Sequence, residues 1–390
     1  MSVRGLAPPD PASPCPEPPP PSQAPRSLPR GPPPGPRRGR AGAPPICFAP
    51  ARDHAGGARH AWRRAQRARA PPPHYRHPYE TSPPPFLQFS PKTGFQPPKV
   101  ATIVYSFFFP KMASILPVTL CQMSVTREKA ANLKKAVTMI TDAAKRGSKL
   151  AVLPECFNCP YGTKYFEEYS ESLAAGNETF DAMSQCAKEN GMWIIAGSVP
   201  EKSADGKLFN SSMTFGPDGV LRHVHRKVHL FRINTDTVRF DEGEVLSAGN
   251  DVTAISLDDK TKFGVAICFD IRYPFLAWKY AEQGTSFIVY PGAFNMVTGP
   301  AHWQLAARAR AVDNQQYVFL CSPARDTSAE YVAWGHSMVV DPFGNVLSEL
   351  DEKEGFLDCK VDFSVIQDTR NQIPILKGVR HDLYTLSWKK

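Results

Sequence analysis

The chain has 390 residues, a formal net charge of +9, 40 prolines and nine cysteines. Residues 1–100 hold 28 of the prolines and 15 basic against four acidic side chains, leaving 31 basic and 33 acidic ones in the remainder, so the basic balance is no argument that the folded part binds nucleic acid. No run reaches the ~18 apolar residues of a membrane span, and an odd set of cysteines without framework spacing excludes a disulfide scaffold.

Residues 1–110 read as a Pro/Arg-rich, disordered extension. Clusters such as Pro18 to Pro21 and Pro83 to Pro85 break helices and central strands. A passive tail, a mitochondrial transit segment and a nucleic-acid or SH3-type docking tail are open to it. The prolines spoil a transit helix, and Arg63-Arg64-Ala-Gln-Arg67 lacks a stacking platform. The run 101–109 is apolar but too short to span, and Met112 is an alternative start where the globular pattern opens.

A single folded domain is expected over 111–390. Thr126 is the expected N-cap of a helix with apolar positions at 130, 133, 137, 140 and 144, closed by Gly147 and followed by a strand leading to Glu155. A second helix through Phe180, Met183 and Ala187 ends near Gly191 and precedes a strand from Trp193. A third, through Leu276, Ala277, Tyr280 and Ala281, ends at Gly284 before the run from Phe287. The fourth begins around Trp303 and leads into Tyr317 to Cys321. Gly216-Pro-Asp-Gly219 and Asp341-Pro-Phe-Gly-Asn345 mark hairpins. Helix–strand units mixed with hairpins predict a layered α/β fold with mixed sheets.

Three strand ends carry chemistry. Val265-Ala-Ile267 is an apolar run with Cys268 at its exit, where a thiol is placed for nucleophilic attack; the bland alternative is a small core residue. Ala151-Val-Leu-Pro ends in Glu155, which partial burial would suit to general base and then acid work, although a surface glutamate reads the same. In the segment 222–229, alternation puts residues 223, 225, 227 and 229 on one face, so Lys227 is either an oxyanion-stabilising ammonium or part of a solvated basic strand. An ammonium near Cys268 would lower the thiol's pKa. The histidines have no companion ligands for a metal, and Cys156-Phe-Asn-Cys159 has no second pair. No phosphate loop or serine-hydrolase elbow is present, so nucleotide use and serine-hydrolase chemistry have no support.

At these residues the chain resembles a known family. Leu153-Pro-Glu-Cys-Phe-Asn, His225-Arg-Lys-Val-His-Leu-Phe, Cys268-Phe-Asp-Ile-Arg-Tyr-Pro, the block 290–303 and Ala333-Trp-Gly-His-Ser are similar, in order, to the nitrilase superfamily of carbon–nitrogen hydrolases, nearest its omega-amidase branch. The likeness covers about residues 113–388. It implies a four-layer α-β-β-α sandwich, sheets paired across a homodimer, and a cofactor-free, metal-free, cytoplasmic enzyme (mitochondrial as the alternative). It implies Cys268 as nucleophile, Glu155 as general base, and Lys227 with the Phe269 N–H as oxyanion stabilisers. Glu242, a loop acid by sequence, matches the family's second glutamate. The implied substrates are small dicarboxylic monoamides, 2-oxoglutaramate and 2-oxosuccinamate, or another small amide or N-carbamoyl compound. Arg272 is the candidate for the free carboxylate, with Phe294, Thr298 and Trp303 as pocket walls and Tyr161 and the Tyr165-Phe166 pair closing over it. Arg232-Ile-Asn-Thr-Asp departs from the branch's pattern, as does Phe269, where Tyr is usual. A non-catalytic interaction protein acting through its tail is the reading from another class.

Overall fold

A computed structural model of the chain describes residues 115–235 and 239–388. The extension expected over 1–110 lies outside them. In chain order the strands are β1 (Ile115–Gln122), β2 (Leu150–Val152), β3 (Trp193–Lys202), β4 (Leu208–Phe215) and β5 (Leu221–Arg226), then a small ribbon of β6 (Arg232–Asn234) and β7 (Arg239–Asp241). Next come β8 (Ile255–Ser256), β9 (Lys262–Val265), β10 (Thr285–Pro291), β11 (Tyr317–Cys321), β12 (Met338–Val340), β13 (Val346–Glu349) and β14 (Gly355–Asp362). Two six-stranded mixed sheets result, ordered β14-β1-β2-β3-β4-β5 and β13-β12-β11-β10-β9-β8. Six helices accompany them: α1 (Lys129–Lys145), α2 (Thr163–Tyr169), α3 (Glu178–Asn190), α4 (Pro274–Glu282), α5 (Thr298–Asn314) and α6 (Ser364–Gln372).

The layering follows from period-2 alternation in strands apolar on both faces. Leu150, Val152 and Ile195 face the same core as Phe287, Val289, Tyr317 and Phe319 of the other sheet. Their neighbours turn outward: Ala151, Ile194 and Ala196 meet Leu133, Ile140 and Met183 from α1 and α3. In the second sheet Ile288, Tyr290, Val318 and Leu320 meet Leu276, Tyr280, Trp303 and Ala307 from α4 and α5. Burying each such aliphatic or aromatic side chain contributes roughly 1.5–3 kcal/mol. One chain thus supplies all four layers of the expected sandwich, and its two sheets pair within it.

The four expected helix–strand units all form. At Thr126 the expectation needs correction. The helix starts at Lys129 with Glu128 as N-cap, because the Asn132 side chain closes on Thr126, accepting from its N–H at 2.9 Å and donating to its carbonyl at 2.7 Å. Gly147 takes the left-handed conformation expected of a helix stop. The two hairpins form as β4–β5 and β12–β13. The short helices α2 and α6 were not foreseen; seven and nine residues carry little periodicity.

What positions the site is a shared polarity. β1, β2 and β3 run parallel to one another, as do β9, β10 and β11. Glu155 follows the carboxyl end of β2, Cys268 that of β9, and Ala293 that of β10. Ligands characteristically bind at such carboxyl ends of strands in open α/β sheets.

Candidate active site

Past β2, the chain turns sharply against β3. Gly197, in the left-handed region at φ +44°, lies so close that a Cβ there would collide with the Pro154 carbonyl. The Cys156 N–H donates to Ser198 Oγ at 3.1 Å, fixing the turn that sends Glu155 inward. Glu155 is fully buried. Its Oε1 accepts from Lys227 Nζ at 2.8 Å and Asn210 Nδ2 at 2.9 Å, and its Oε2 accepts from the Ala293 N–H at 2.8 Å.

Lys227 is the first residue beyond β5, and its N–H donates to the Asn210 carbonyl at 2.8 Å, prolonging the ladder. The side chain is fully buried, so it is no solvated basic strand. Nζ also donates to Glu242 Oε1 at 2.9 Å. Glu242 sits in the 3₁₀ turn after β7, where it accepts from the Tyr161 hydroxyl at 2.7 Å and the Phe231 N–H at 2.6 Å. The loop acid is therefore a fully enclosed partner of Lys227.

Cys268 opens a 3₁₀ turn, Cys268–Arg272, with φ +45°, in a region costing an L-residue of this kind roughly 1–2 kcal/mol. Asp270 holds that turn. Its buried carboxylate accepts from the Ile267 N–H at 3.0 Å and the His229 N–H at 2.8 Å, and bonds His229 Nδ1 at 2.8 Å and His225 Nε2 at 3.3 Å. Burial opposes its ionisation, but the two histidines and the backbone donors outweigh that and keep it well below the usual carboxylate range. The thiol's turn and the Lys227 segment are thereby tied to one side chain. Gly292 is needed beside it, since a Cβ there would lie 3.3 Å from Cys268 Cα and 3.1 Å from the Trp303 ring.

Three titratable groups shape the electrostatics. Burial alone would drive Lys227 toward neutrality, but Glu155 and Glu242 overcome it and push its pKa well up, so the ammonium persists. Burial, aided by Glu242, raises Glu155 against the pull of Lys227. Cys268 departs from expectation. Burial and then the Glu155 charge push its thiol well up, and Lys227, whose charge two carboxylates share, only partly offsets them. At rest the sulfur is a thiol facing a carboxylate of raised basicity, not a standing thiolate. Such an arrangement can pass the thiol proton to Glu155 at the moment of attack.

The remaining predicted residues divide. Phe269, Arg272, Phe294 and Thr298 line a small pocket with Cys268. The Arg272 guanidinium lies over the rings of Phe294 and Phe269 and against His302 Nδ1 at 3.1 Å. Among the described residues no carboxylate pairs with it. Trp303 is not a pocket wall: it is buried behind Phe294, with ring centroids 5.0 Å apart, and donates to the His336 carbonyl at 2.6 Å. Tyr161 and Tyr165 line a separate, larger cavity, of about 300 Å³, that reaches Glu155. Phe166 packs beneath it with Cys156, Cys159 and Leu246. Those two cysteines are buried and free, and no metal-ligand cluster occurs among the described residues. Sequence reasoning missed Asn210, Asp270, Ala293 and Tyr331.

Comparison with known proteins places this site in a family. The family model for carbon–nitrogen hydrolases matches residues 117–371. The chain is 48% identical over 273 residues to omega-amidase NIT2 of Xenopus tropicalis, covering 70% of this chain and 98% of that protein. It is 47% identical over 278 residues to the mouse protein of the same name, covering 71% and 99%. Among solved structures, Saccharomyces cerevisiae Nit3, a member of branch 10 of the nitrilase superfamily, superposes with a TM-score of 0.63 at 42% identity, covering 68% of this chain and 97% of that one. With its two-sheet sandwich and the buried Glu–Lys–Cys cluster at the strand ends, the chain belongs to the carbon–nitrogen hydrolase family of the nitrilase superfamily.

Proposed function

We propose that this protein is an omega-amidase, a cysteine amidohydrolase that converts small dicarboxylic monoamides such as 2-oxoglutaramate and 2-oxosuccinamate to the keto diacid and ammonia. Glu155 takes the Cys268 proton as sulfur attacks the amide carbonyl. The tetrahedral oxyanion is met by Lys227 Nζ and the Phe269 N–H. Collapse breaks the C–N bond while Glu155 returns the proton to nitrogen, so ammonia leaves and a thioester remains on Cys268. Water, deprotonated by Glu155, then attacks the thioester; the C–S bond breaks, the acid is released, and Glu155 returns the proton to the Cys268 sulfur. Glu242 keeps Lys227 charged throughout. The observation that carries this reading is the buried set of Lys227 Nζ bonded to both Glu155 and Glu242 beside the Cys268 thiol. The relatives' omega-amidase names support the substrate class.

Arg272 supports it further, as a half-buried guanidinium at the wall of the thiol's pocket. Burial lowers its pKa, but a guanidinium keeps its charge in proteins. It is the natural partner for the substrate's distal carboxylate. The test is ammonia release from 2-oxoglutaramate and 2-oxosuccinamate by wild type and by Arg272→Met. A charged hydrogen bond of about 1.5–3 kcal/mol predicts a KM increase of roughly 10- to 100-fold for these substrates. Simple monoamides without the second carboxylate should be nearly unaffected. Equal losses on both classes would remove Arg272 from carboxylate recognition, and preference for an N-carbamoyl compound would overturn the substrate class.

Reduced, buried thiols support placement in the cytoplasm. No helix of the described residues is long and apolar enough to cross a membrane. A homodimer is also proposed, through the outer face of α5. Leu305 and Val312, two turns apart, are exposed there, the Gly344 turn lies directly against Val312, and Phe343 and Leu347 are exposed beside it. Leu305→Asp should shift the sedimenting species from dimer to monomer; an unchanged dimer would exclude this face.

A further inference from the structure

We infer that Tyr331 is the gate and the length-setting wall of the thiol pocket. The inference rests on the amidase reading, and it starts from a mismatch of size. The pocket at Cys268, bounded by Phe231, Phe269, Arg272, Phe294 and Thr298, has a volume of only about 10 Å³. That is room for about one water molecule, far less than a keto diacid monoamide requires. The larger cavity, about 300 Å³, reaches Glu155 but not Cys268. Two residues border both spaces, Ala293 and Tyr331. Substrate arriving through the larger cavity meets the sulfur only if one of them yields.

Ala293 is fixed. Its N–H is bonded to Glu155 Oε2, and its neighbours Gly292 and Phe294 are bonded to the Cys321 carbonyl and the Trp334 N–H. The Cys268 turn is pinned by Asp270, and Thr298 by Asn295 at the start of α5. Tyr331 differs. Its loop is anchored at either end, where Ala324 and Arg325 donate to the Met123 and Glu352 carbonyls and Trp334 to Phe294. Between those anchors, among the described residues, the backbone is held only next to the second anchor, by the bridge of Ala333 to Asn295, and the other contacts outward are made by side chains. Glu330 pairs with Lys164 at 2.5 Å and Arg127 at 3.6 Å, both solvent-exposed pairs of the weak kind. The Tyr331 hydroxyl donates to the Ala293 carbonyl at 2.6 Å, and its ring leans on Tyr161 with centroids 4.5 Å apart. One hydrogen bond and two ring contacts, the closer to Tyr161 and the looser to Phe240 at 6.0 Å, therefore hold the partition shut. Swinging the phenol away from Ala293 would join the two spaces and give a molecule in the larger cavity a path to Cys268 and Arg272. With substrate bound, the returning ring limits how long a chain fits between Cys268 and the larger cavity.

The test reads access to the sulfur directly, so it does not depend on the natural substrate. Full-length wild type, Tyr331→Phe and Tyr331→Ala are alkylated with iodoacetamide and with a bulkier N-benzyl iodoacetamide, and modification of the peptide carrying Cys268 is timed by mass spectrometry. Tyr331→Phe, which keeps the ring and loses the latch, should react roughly threefold to tenfold faster with the small reagent, as loss of one hydrogen bond predicts. Tyr331→Ala should erase most of the wild type's discrimination between the two reagents. In the amidase assay it should raise kcat/KM for monoamides one or two methylenes longer relative to the shortest. Wild-type alkylation rates and unchanged size discrimination in both variants would overturn the gate. Altered alkylation with no turnover of any dicarboxylic monoamide would overturn the substrate assignment and leave the gate standing.

Discussion

Cys268→Ala is expected to lower ammonia release from 2-oxoglutaramate by about 10⁴-fold or more, with the fold retained. Sulfur is the only atom of the protein that bonds covalently to the substrate in the proposed sequence, and neither Glu155 nor Lys227 can replace it. Stability should change little, by roughly 1 kcal/mol, for three reasons. The substitution removes one atom, and although Cys268 is buried among core residues, its side chain also borders a pocket and so leaves little new void. Alanine meets the same left-handed penalty that cysteine already bears at φ +45°. And the thiol is neutral at rest, held so by burial and Glu155, so no buried charge is left without its partner. Mass spectrometry of enzyme quenched with substrate should find an acyl adduct on the Cys268 peptide of wild type and none in the variant. Normal turnover by Cys268→Ala, or an adduct on another residue, would remove the nucleophile assignment.

How far this site was legible in sequence depended on distance along the chain. Glu155 and Cys268 stand out because each follows an apolar run whose strand aims it. The alternation that put residues 225, 227 and 229 on one face is also local, and His225 and His229 do converge on Asp270 while Lys227 turns to the carboxylates. Asp270 itself gave no such signal; its five hydrogen bonds come from four residues, His225, Val228, His229 and Ile267, in two segments some 40 residues apart. Asn210 sits mid-strand, and its relation to Glu155 exists only once β4 lies beside β3. Tyr331 lies in a loop without periodicity, placed by anchors at either end. The thiol's pKa was misjudged for a related reason. Proximity to an ammonium is a pairwise inference, whereas its sign here depends on complete burial and on two carboxylates that claim the same ammonium. The four helix–strand units were readable because each joins a repeating apolar helix face to an apolar strand run a few residues later in the chain.

Lys227→Met tests the cluster as a unit, because it should cost stability and activity together. With Lys227 removed, Glu155 and Glu242 remain buried with no cation between them. Breaking a buried pair in this way typically costs about 3–5 kcal/mol. The loss should depend on pH, with a definite sign. Burial already raises Glu155 in wild type, and without the ammonium that pulls it down it would rise further above its unfolded value. Such a group binds more protons folded than unfolded, so its stabilising share is intact below the unfolded carboxylate pKa and falls as pH rises toward the folded one. The melting-temperature deficit of Lys227→Met should therefore be largest near neutrality and shrink on acidification. Adding Glu242→Gln should recover part of it, since only one buried carboxylate then remains. Turnover should fall by about 10²–10³-fold for loss of one oxyanion donor, and should not return with the stability that Glu242→Gln restores. A variant as stable as wild type at neutral pH would mean that the ammonium is not what keeps two acids ionised there. Recovery of activity in the double variant would mean that Lys227 serves the fold and not the oxyanion.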